Sequence, residues 1–284
     1  MNKNKIAIVV DSGMDVPKSY LENYDLFELP LQINYKDQSY LDRINIQPEE
    51  VCARLEEEIP KTSLPSGQSI HQLFQDIINK GYEHVIVCSI SSQLSGTFQL
   101  LKTMAEDFDS LQFTFFDTKN IGIGAGLFAV QAAELADVGY SVEDIKNKVF
   151  DPLKSHVFFM VDTLKYLKAG GRIGSVQANI GELLKIKPVI TCDDEGIYTT
   201  YKKIRSDRQF DKLIMKQIEI AIHQFGEENI RLAIAEVEAK ERAHALMKHI
   251  KENHPSIEYI ISTVSPALCV HTGPGLIGVA IYHK

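Results

Sequence analysis

The stretch His84-Val85-Ile86-Val87-Cys88-Ser89-Ile90-Ser91-Ser92-Gln93-Leu94-Ser95-Gly96-Thr97-Phe98-Gln99-Leu100-Leu101-Lys102-Thr103-Met104-Ala105 decides the fold. The apolar run His84–Cys88 reads as a buried strand and Phe98–Ala105 as a helix. Four hydroxyl residues, Ser91, Ser92, Ser95 and Thr97, collect where the strand gives way to the helix. Free backbone N–H groups and the helix dipole make such a junction a natural seat for an anion. Ile90–Thr97 contains no Lys, Arg, Asp, Glu or His. The segment suits an anion held by hydrogen bonds alone, without chemistry of its own.

On either side of this segment the same alternation continues. Ile6–Val10 reads as a strand ending in Asp11-Ser12-Gly13, Glu49–Ile59 and Ser69–Asn79 as helices, Phe113–Phe116 as a strand, and Ile121–Ala136 as a helix of small residues. Strands separated by helices imply a mostly parallel sheet covered on both faces, with ligands beyond the carboxyl ends of its strands. Asp11-Ser12, Ser91–Thr97 and Asp117-Thr118 all fall at such ends.

The second half is organised differently. The apolar His156–Met160 is followed by the Gly-rich turn Lys168–Gly174 and a helix expected through Val176–Leu184. Lys187–Ile190 and Gly196–Tyr201, joined by Cys192–Gly196, carry a hairpin signature. A helix over Asp207–Phe225, a strand at Arg231–Ala235, a helix at Lys240–Glu252 and a strand at Ile257–Ser262 complete an α+β sandwich. The uncharged stretch Tyr259–Tyr282 is interrupted by Pro266, His271, Gly273, Pro274 and Gly275, so it reads as strand, loop and strand rather than a membrane span. The expected architecture is α/β with two domains, an N-terminal α/β/α domain over 1–153 and a C-terminal α+β domain over 154–284, with a ligand between them.

The 284 residues are 44% hydrophobic and 24% charged, the composition of a globular protein with a full core. A net charge of −8 argues against non-specific nucleic-acid binding. The four cysteines are scattered without metal spacing and suit free core thiols in a reducing cytoplasm. Met1–Lys5 leads straight into a strand-like run, so no secretory leader is expected. Phosphate-loop, nucleophile-elbow and zinc-helix motifs are absent, and His244 and His249 are off the helical spacing of a ligand pair. Gly122-x-Gly124-x-Gly126 has the wrong spacing for dinucleotide binding and suits close helix packing, or a helix lining an apolar tunnel. Lys61–Gly67 is a second hydroxyl-rich loop, in which Ser66 or Ser69 suits a helix cap. Taken singly, His271 reads as a satisfied structural histidine and Arg172 as a surface or domain-interface charge.

Together these elements are more specific. Asp11-Ser12, Lys61-Thr62-Ser63-x-Pro65-Ser66, Ser91-Ser92-x-Leu94-Ser95-Gly96-Thr97, Leu167-Lys168-x-Gly170-Gly171-Arg172-Ile173 and His271-Thr272-Gly273-Pro274-Gly275 resemble the DegV family in order and spacing. Lys187-Pro188 and Lys203-x-Arg205 fit the same pattern, and the resemblance runs from Ile6 to about Ile281. It implies two α/β domains enclosing a long-chain fatty acid such as palmitate, and a cytoplasmic carrier that is not itself an enzyme. The family's best understood members resemble the binding subunit that presents the acid to a bacterial fatty acid kinase.

Carried over by motif, Thr62 and Ser95 would bind the carboxylate. Ser63, Ser92, Gly96, Thr97, Arg172, His271 and Thr272 would form the supporting polar network, and Arg205 would face the kinase. The resemblance implies no metal and no cofactor beyond the fatty acid ligand. Met14, Gln93 and Ala235-Glu236 depart from the family pattern, where a Ser, a Gly and a His-Ala are frequent. Two other classes remain open at this level. One is a small phosphotransferase or hydrolase using His271 as acid or base and Ser95 as acceptor; the other is a regulatory module for a polar ligand.

Overall fold

The strand His84–Ser89 lies inside a four-stranded parallel sheet. The protein is seen here in a computed structural model that describes residues 1–179 and 186–284. The chain begins β1 (Ile6–Asp11), α1 (Lys18–Asn23), β2 (Leu26–Leu29), β3 (Gln32–Asn34), β4 (Ser39–Leu41), α2 (Pro48–Arg54) and β5 (Lys61–Ser63). It continues α3 (Gly67–Asn79), β6 (His84–Ser89), α4 (Thr97–Ala105), β7 (Gln112–Asp117), α5 (Gly122–Asp137) and α6 (Val142–Val149). Then come β8 (Ser155–Met160), α7 (Lys165–Ala169), β9 (Lys187–Cys192), β10 (Tyr198–Ile204), α8 (Asp207–Phe225) and β11 (Ile230–Glu236). The last elements are α9 (Lys240–Asn253), β12 (Glu258–Thr263), α10 (Pro266–Thr272) and β13 (Ile277–His283).

The described strands form three sheets. The parallel sheet has the order β2-β1-β6-β7, a small antiparallel sheet the order β4-β3-β5, and a mixed sheet the order β10-β9-β8-β13-β11-β12. In the mixed sheet β11 and β12 run parallel, and the other pairs are antiparallel. The first two sheets draw on residues up to Asp117 and the third on residues from Ser155. This is the two-domain α/β architecture expected from the sequence.

Alternation along the parallel strands sets the layers. Ala7, Val9, Val85 and Val87 face the α3–α4 side with Phe74 and Leu101. Ile6, Ile8, Val10, Ile86 and Cys88 face α5. The other side of α5 packs on β8, β11 and β13, while α8 and α9 cover the far face of the mixed sheet. A helix held between two sheets must be apolar all round. Accordingly α5 buries residues on every face, and a Cβ on Gly124 would stand 2.9 Å from Val157 Cβ.

Some local expectations fail for identifiable reasons. The helix expected over Glu49–Ile59 ends at Arg54, because Glu56-Glu57-Glu58 would crowd negative charge onto a helix C-terminus. The Lys61–Gly67 segment is not loop throughout; its first three residues are β5, paired to β3. The Tyr259–Tyr282 segment keeps its two strands, but the loop between them contains α10. The helix expected over Val176–Leu184 starts in a 3-10 turn, Gly174–Asn179, and the rest of that expectation lies outside the described residues.

Candidate functional site

Four separate pieces of chain bring polar side chains to one cavity of about 190 Å³. From β5 comes Thr62, opposite Ile33 of β3. The turn between β6 and α4 brings Leu94 and Ser95. Arg172 comes from the turn after α7, and α10 brings Leu268, His271 and Thr272. The turn after β6 is held from below by Asp11, whose carboxylate accepts from the N–H of Ile90 at 3.1 Å and of Gly13 at 3.0 Å. Burial raises the Asp11 pKa to about 7.

The polar contacts are specific. Thr62 Oγ1 and His271 Nε2 lie 2.9 Å apart. Ser95 Oγ lies 2.9 Å from Thr97 Oγ1 and accepts from the Thr97 N–H at 3.2 Å, securing the start of α4. Arg172 Nη1 donates to the Gly170 carbonyl at 2.6 Å and its Nε to the Leu94 carbonyl at 3.4 Å. Burial, followed by the Arg172 charge, lowers the His271 pKa to about 4, so the ring is neutral at pH 7. Its Nδ1 is buried without a partner among the described residues and rests against Gly170. A side chain on Gly170 would occupy the place of the imidazole, which explains the glycine two positions before Arg172.

Ile121, Tyr198, Leu268 and Thr272 also line a second cavity of about 40 Å³. Its remaining wall is apolar (Val157, Phe159, Ala235, Val264, Leu276) apart from Asp15. On the other side, Leu94, Ser95 and Arg172 separate the first cavity from a surface groove of about 260 Å³. The groove is lined by Ser92, Gln93, Gly96, Gly171, Gly174 and Ile197 in addition. The arrangement therefore runs from polar groove through hydroxyl-lined cavity to apolar recess.

Thr62, Ser63, Ser95, Arg172, His271 and Thr272 of the residues named from sequence line the central cavity. The Thr272 hydroxyl donates to the Leu268 carbonyl at 3.0 Å, so this residue contributes wall rather than a free donor. Ser92 and Gly96 face the outer groove, and Thr97 is buried beneath Ser95. Arg205 is exposed just past β10, with its backbone N–H on Gln209, and lines none of these spaces. His271 is bonded to Thr62 and Ser95 to Thr97, so the base–nucleophile pairing that a His271–Ser95 hydrolase requires is not formed. Among the described residues no group of three or more His, Cys, Asp or Glu is arranged to hold a metal ion, and no helix is long and apolar enough to cross a membrane.

Sequence reasoning missed Leu31, Ile121, Tyr198 and Leu268 as wall residues, and Asp15 and Asp42 beneath the site. The helix carrying His271 was signalled by Ser265-Pro266, a cap followed by Pro at the first helical position, and by Gly273 at its end.

A family model described as "Uncharacterised protein, DegV family" matches residues 5–284. A DegV domain-containing protein of Clostridium acetobutylicum is 39% identical over 282 residues, covering 99% of each chain. A structure described as fatty acid binding of a DegV family protein from Thermus thermophilus superposes with TM-score 0.90 at 29% identity, over 100% of both chains. DegV of Bacillus subtilis, described as a fatty acid binding protein, gives TM-score 0.88 at 28% identity, again over 100% of both. The chain belongs to the DegV family.

Proposed function

We propose that this protein is a carrier that binds a long-chain fatty acid, of the length of palmitate, between an N-terminal domain (1–153) and a C-terminal domain (154–284). The observation that carries this reading is the meeting of Thr62, Ser95, Arg172 and His271 at one cavity that continues into an apolar recess. The fatty-acid-binding descriptions of the Thermus and Bacillus relatives point the same way. A polar-ligand module would need a site polar throughout, and the inner recess is not.

The physical logic begins with the tail. About fifteen carbons at roughly 0.8 kcal/mol per methylene give a gross gain on the order of 12 kcal/mol, against an association cost of about 4–15 kcal/mol. The tail therefore supplies most of the affinity, and the head group must be desolvated without loss. The orphaned His271 Nδ1 assigns the tautomer: an unpartnered buried acceptor is tolerated better than an unpartnered N–H. Nε2–H then donates to Thr62 Oγ1, which leaves the Thr62 hydroxyl proton free for a carboxylate oxygen. Ser95 accepts from the Thr97 N–H and donates its own proton to the other oxygen. Arg172, at the partition, balances the charge.

The carboxylate so held lies next to the outer groove, accessible to a reagent brought by a partner. The carrier itself is not the enzyme in this reading; a fatty acid kinase in the cytoplasm phosphorylates the acid, and Arg205 faces that partner. Mass spectrometry of an organic extract of the purified protein tests the ligand. Near-stoichiometric C14–C18 acid is expected, and a blank extract from folded protein that also fails to bind added palmitate rejects the reading.

A further inference from the structure

We infer that Asp42 and Asp15 are positioning residues of the head-group site, acting through α10 on His271. The inference rests on the reading of Thr62 and His271 as head-group residues. The first turn of any helix leaves backbone N–H groups without partners inside the helix. In α10 each is accounted for. Pro266 has none, and the Leu268 N–H is taken by the Ser265 side chain at 3.4 Å. The Ser265 N–H goes to Asp15 Oδ1 at 2.8 Å and the Ala267 N–H to Asp42 Oδ1 at 3.0 Å. The two carboxyl groups come from the opposite end of the chain, 250 and 225 residues away, and are 1% and 0% exposed. A helix of the second half is thus capped by side chains of the first.

The small sheet makes this grip a mount with two ends. Asp42 directly follows β4, and Thr62 lies on β5; both strands pair with β3. One three-stranded sheet therefore holds the first turn of α10 through Asp42 and its last turn through the Thr62–His271 bond. Asp42 is fixed in turn: Ser12 Oγ donates to its Oδ2 at 2.6 Å and accepts from the Leu31 N–H at 2.9 Å. Asp15 adds a second anchor through its carbonyl, which accepts from Ser262 Oγ at 2.6 Å. Loosening the first turn shifts His271 relative to Thr62, and the hydroxyl that faces the carboxylate loses its orientation.

The test is a double-mutant cycle on fatty-acid affinity together with imidazole ¹⁵N NMR of ligand-free, histidine-labelled protein. Asp42→Ala is expected to weaken palmitate binding about tenfold by removing one buried acceptor, and to change binding less than about twofold in a His271→Ala background. Asp42→Asn, which keeps the acceptor oxygen, is expected to stay within about threefold of wild type. Equal losses in both backgrounds, or wild-type binding by Asp42→Ala, overturns the inference. If Asp42→Ala does not fold, Asp42→Glu replaces it: a changed His271 Nε2 resonance supports the mount and an unchanged one rejects it. The resonance is read without ligand, so a wild-type protein that binds no fatty acid rejects the ligand reading and leaves the positioning measurement standing.

Discussion

Thr62 Oγ1 and His271 Nε2, 209 residues apart in sequence, stand 2.9 Å from one another across the junction of the two halves. Neither residue is informative alone. Thr62 is the middle residue of a three-residue strand, and His271 sits in the last turn of a seven-residue helix. The contact links the small sheet to the last turn of α10.

The head-group assignment predicts that Thr62→Ala combined with Ser95→Ala weakens binding of palmitate without unfolding the protein. A hydrogen bond to a charged group contributes about 1.5–3 kcal/mol, so the double variant should lose at least about a hundredfold. Titration calorimetry gives the affinity and circular dichroism the fold. Undiminished affinity in a folded double variant removes both residues from the site.

Gly170 carries a second prediction. A methyl group there meets His271 Nδ1 directly, so Gly170→Ala must displace the ring or the α7 turn. Overpacking of this kind costs about 1–3 kcal/mol. A lower melting temperature and weaker fatty-acid binding are expected together, whereas Gly171→Ala, with open space around its Cβ but a φ of +72°, should lower stability while leaving affinity nearly unchanged.

Buried carboxylates set the pH dependence. Burial raises Asp15 to about 8, Asp11 and Glu28 to about 7, and Asp42 to about 6. A raised folded-state pKa means the folded protein binds more protons than the unfolded chain, so stability is lost as pH rises through that value. His271 has the opposite sign, because its pKa is lowered to about 4, and its effect is confined below the ordinary histidine value of 6.5. Between pH 6.5 and 8, therefore, the carboxylates act and stability should fall. Asp15→Asn mimics the neutral acid, keeps an acceptor for the Ser265 N–H, and should flatten the slope by about one proton. Chemical denaturation at several pH values measures it; an unchanged slope shows that Asp15 is ionised in the folded protein.

The sequence reading and the structure part company where burial and long-range pairing decide. The stretch His84–Ala105 was legible because each piece is long enough for its pattern to show, and Asp207–Phe225 was legible end to end for the same reason. The three-residue strands β3, β4 and β5 have no period to detect and exist only through pairing with each other. Asp15 and Asp42 look like turn residues in sequence, since aspartate is favoured in turns, and only the fold reveals that both are buried against α10. The residues proposed for the head group are recognisable as motifs, but Tyr198 and Leu268 belong to ordinary hairpin and helix patterns and join the cavity wall only through the fold.

On the proposed carrier reading, the inner recess sets the chain length that the protein accepts. Gly278 lies on its wall, with Phe159 Cβ 3.5 Å and the Ala235 carbonyl 3.8 Å from where a Cβ would stand. A Cβ fits there, and the two further methyl groups of valine must project into the recess or against Phe159. Gly278→Val is therefore expected to shorten the tunnel by one or two methylenes. Each methylene excluded from the protein forfeits about 0.8 kcal/mol, close to fourfold in affinity. Stearate and palmitate should lose affinity while myristate is little affected, because its tail ends before the added methyl groups. Competition binding with the C12–C18 series measures the profile. Unchanged affinity at every length would mean that the tail runs elsewhere, along the outer groove rather than between α5 and the mixed sheet.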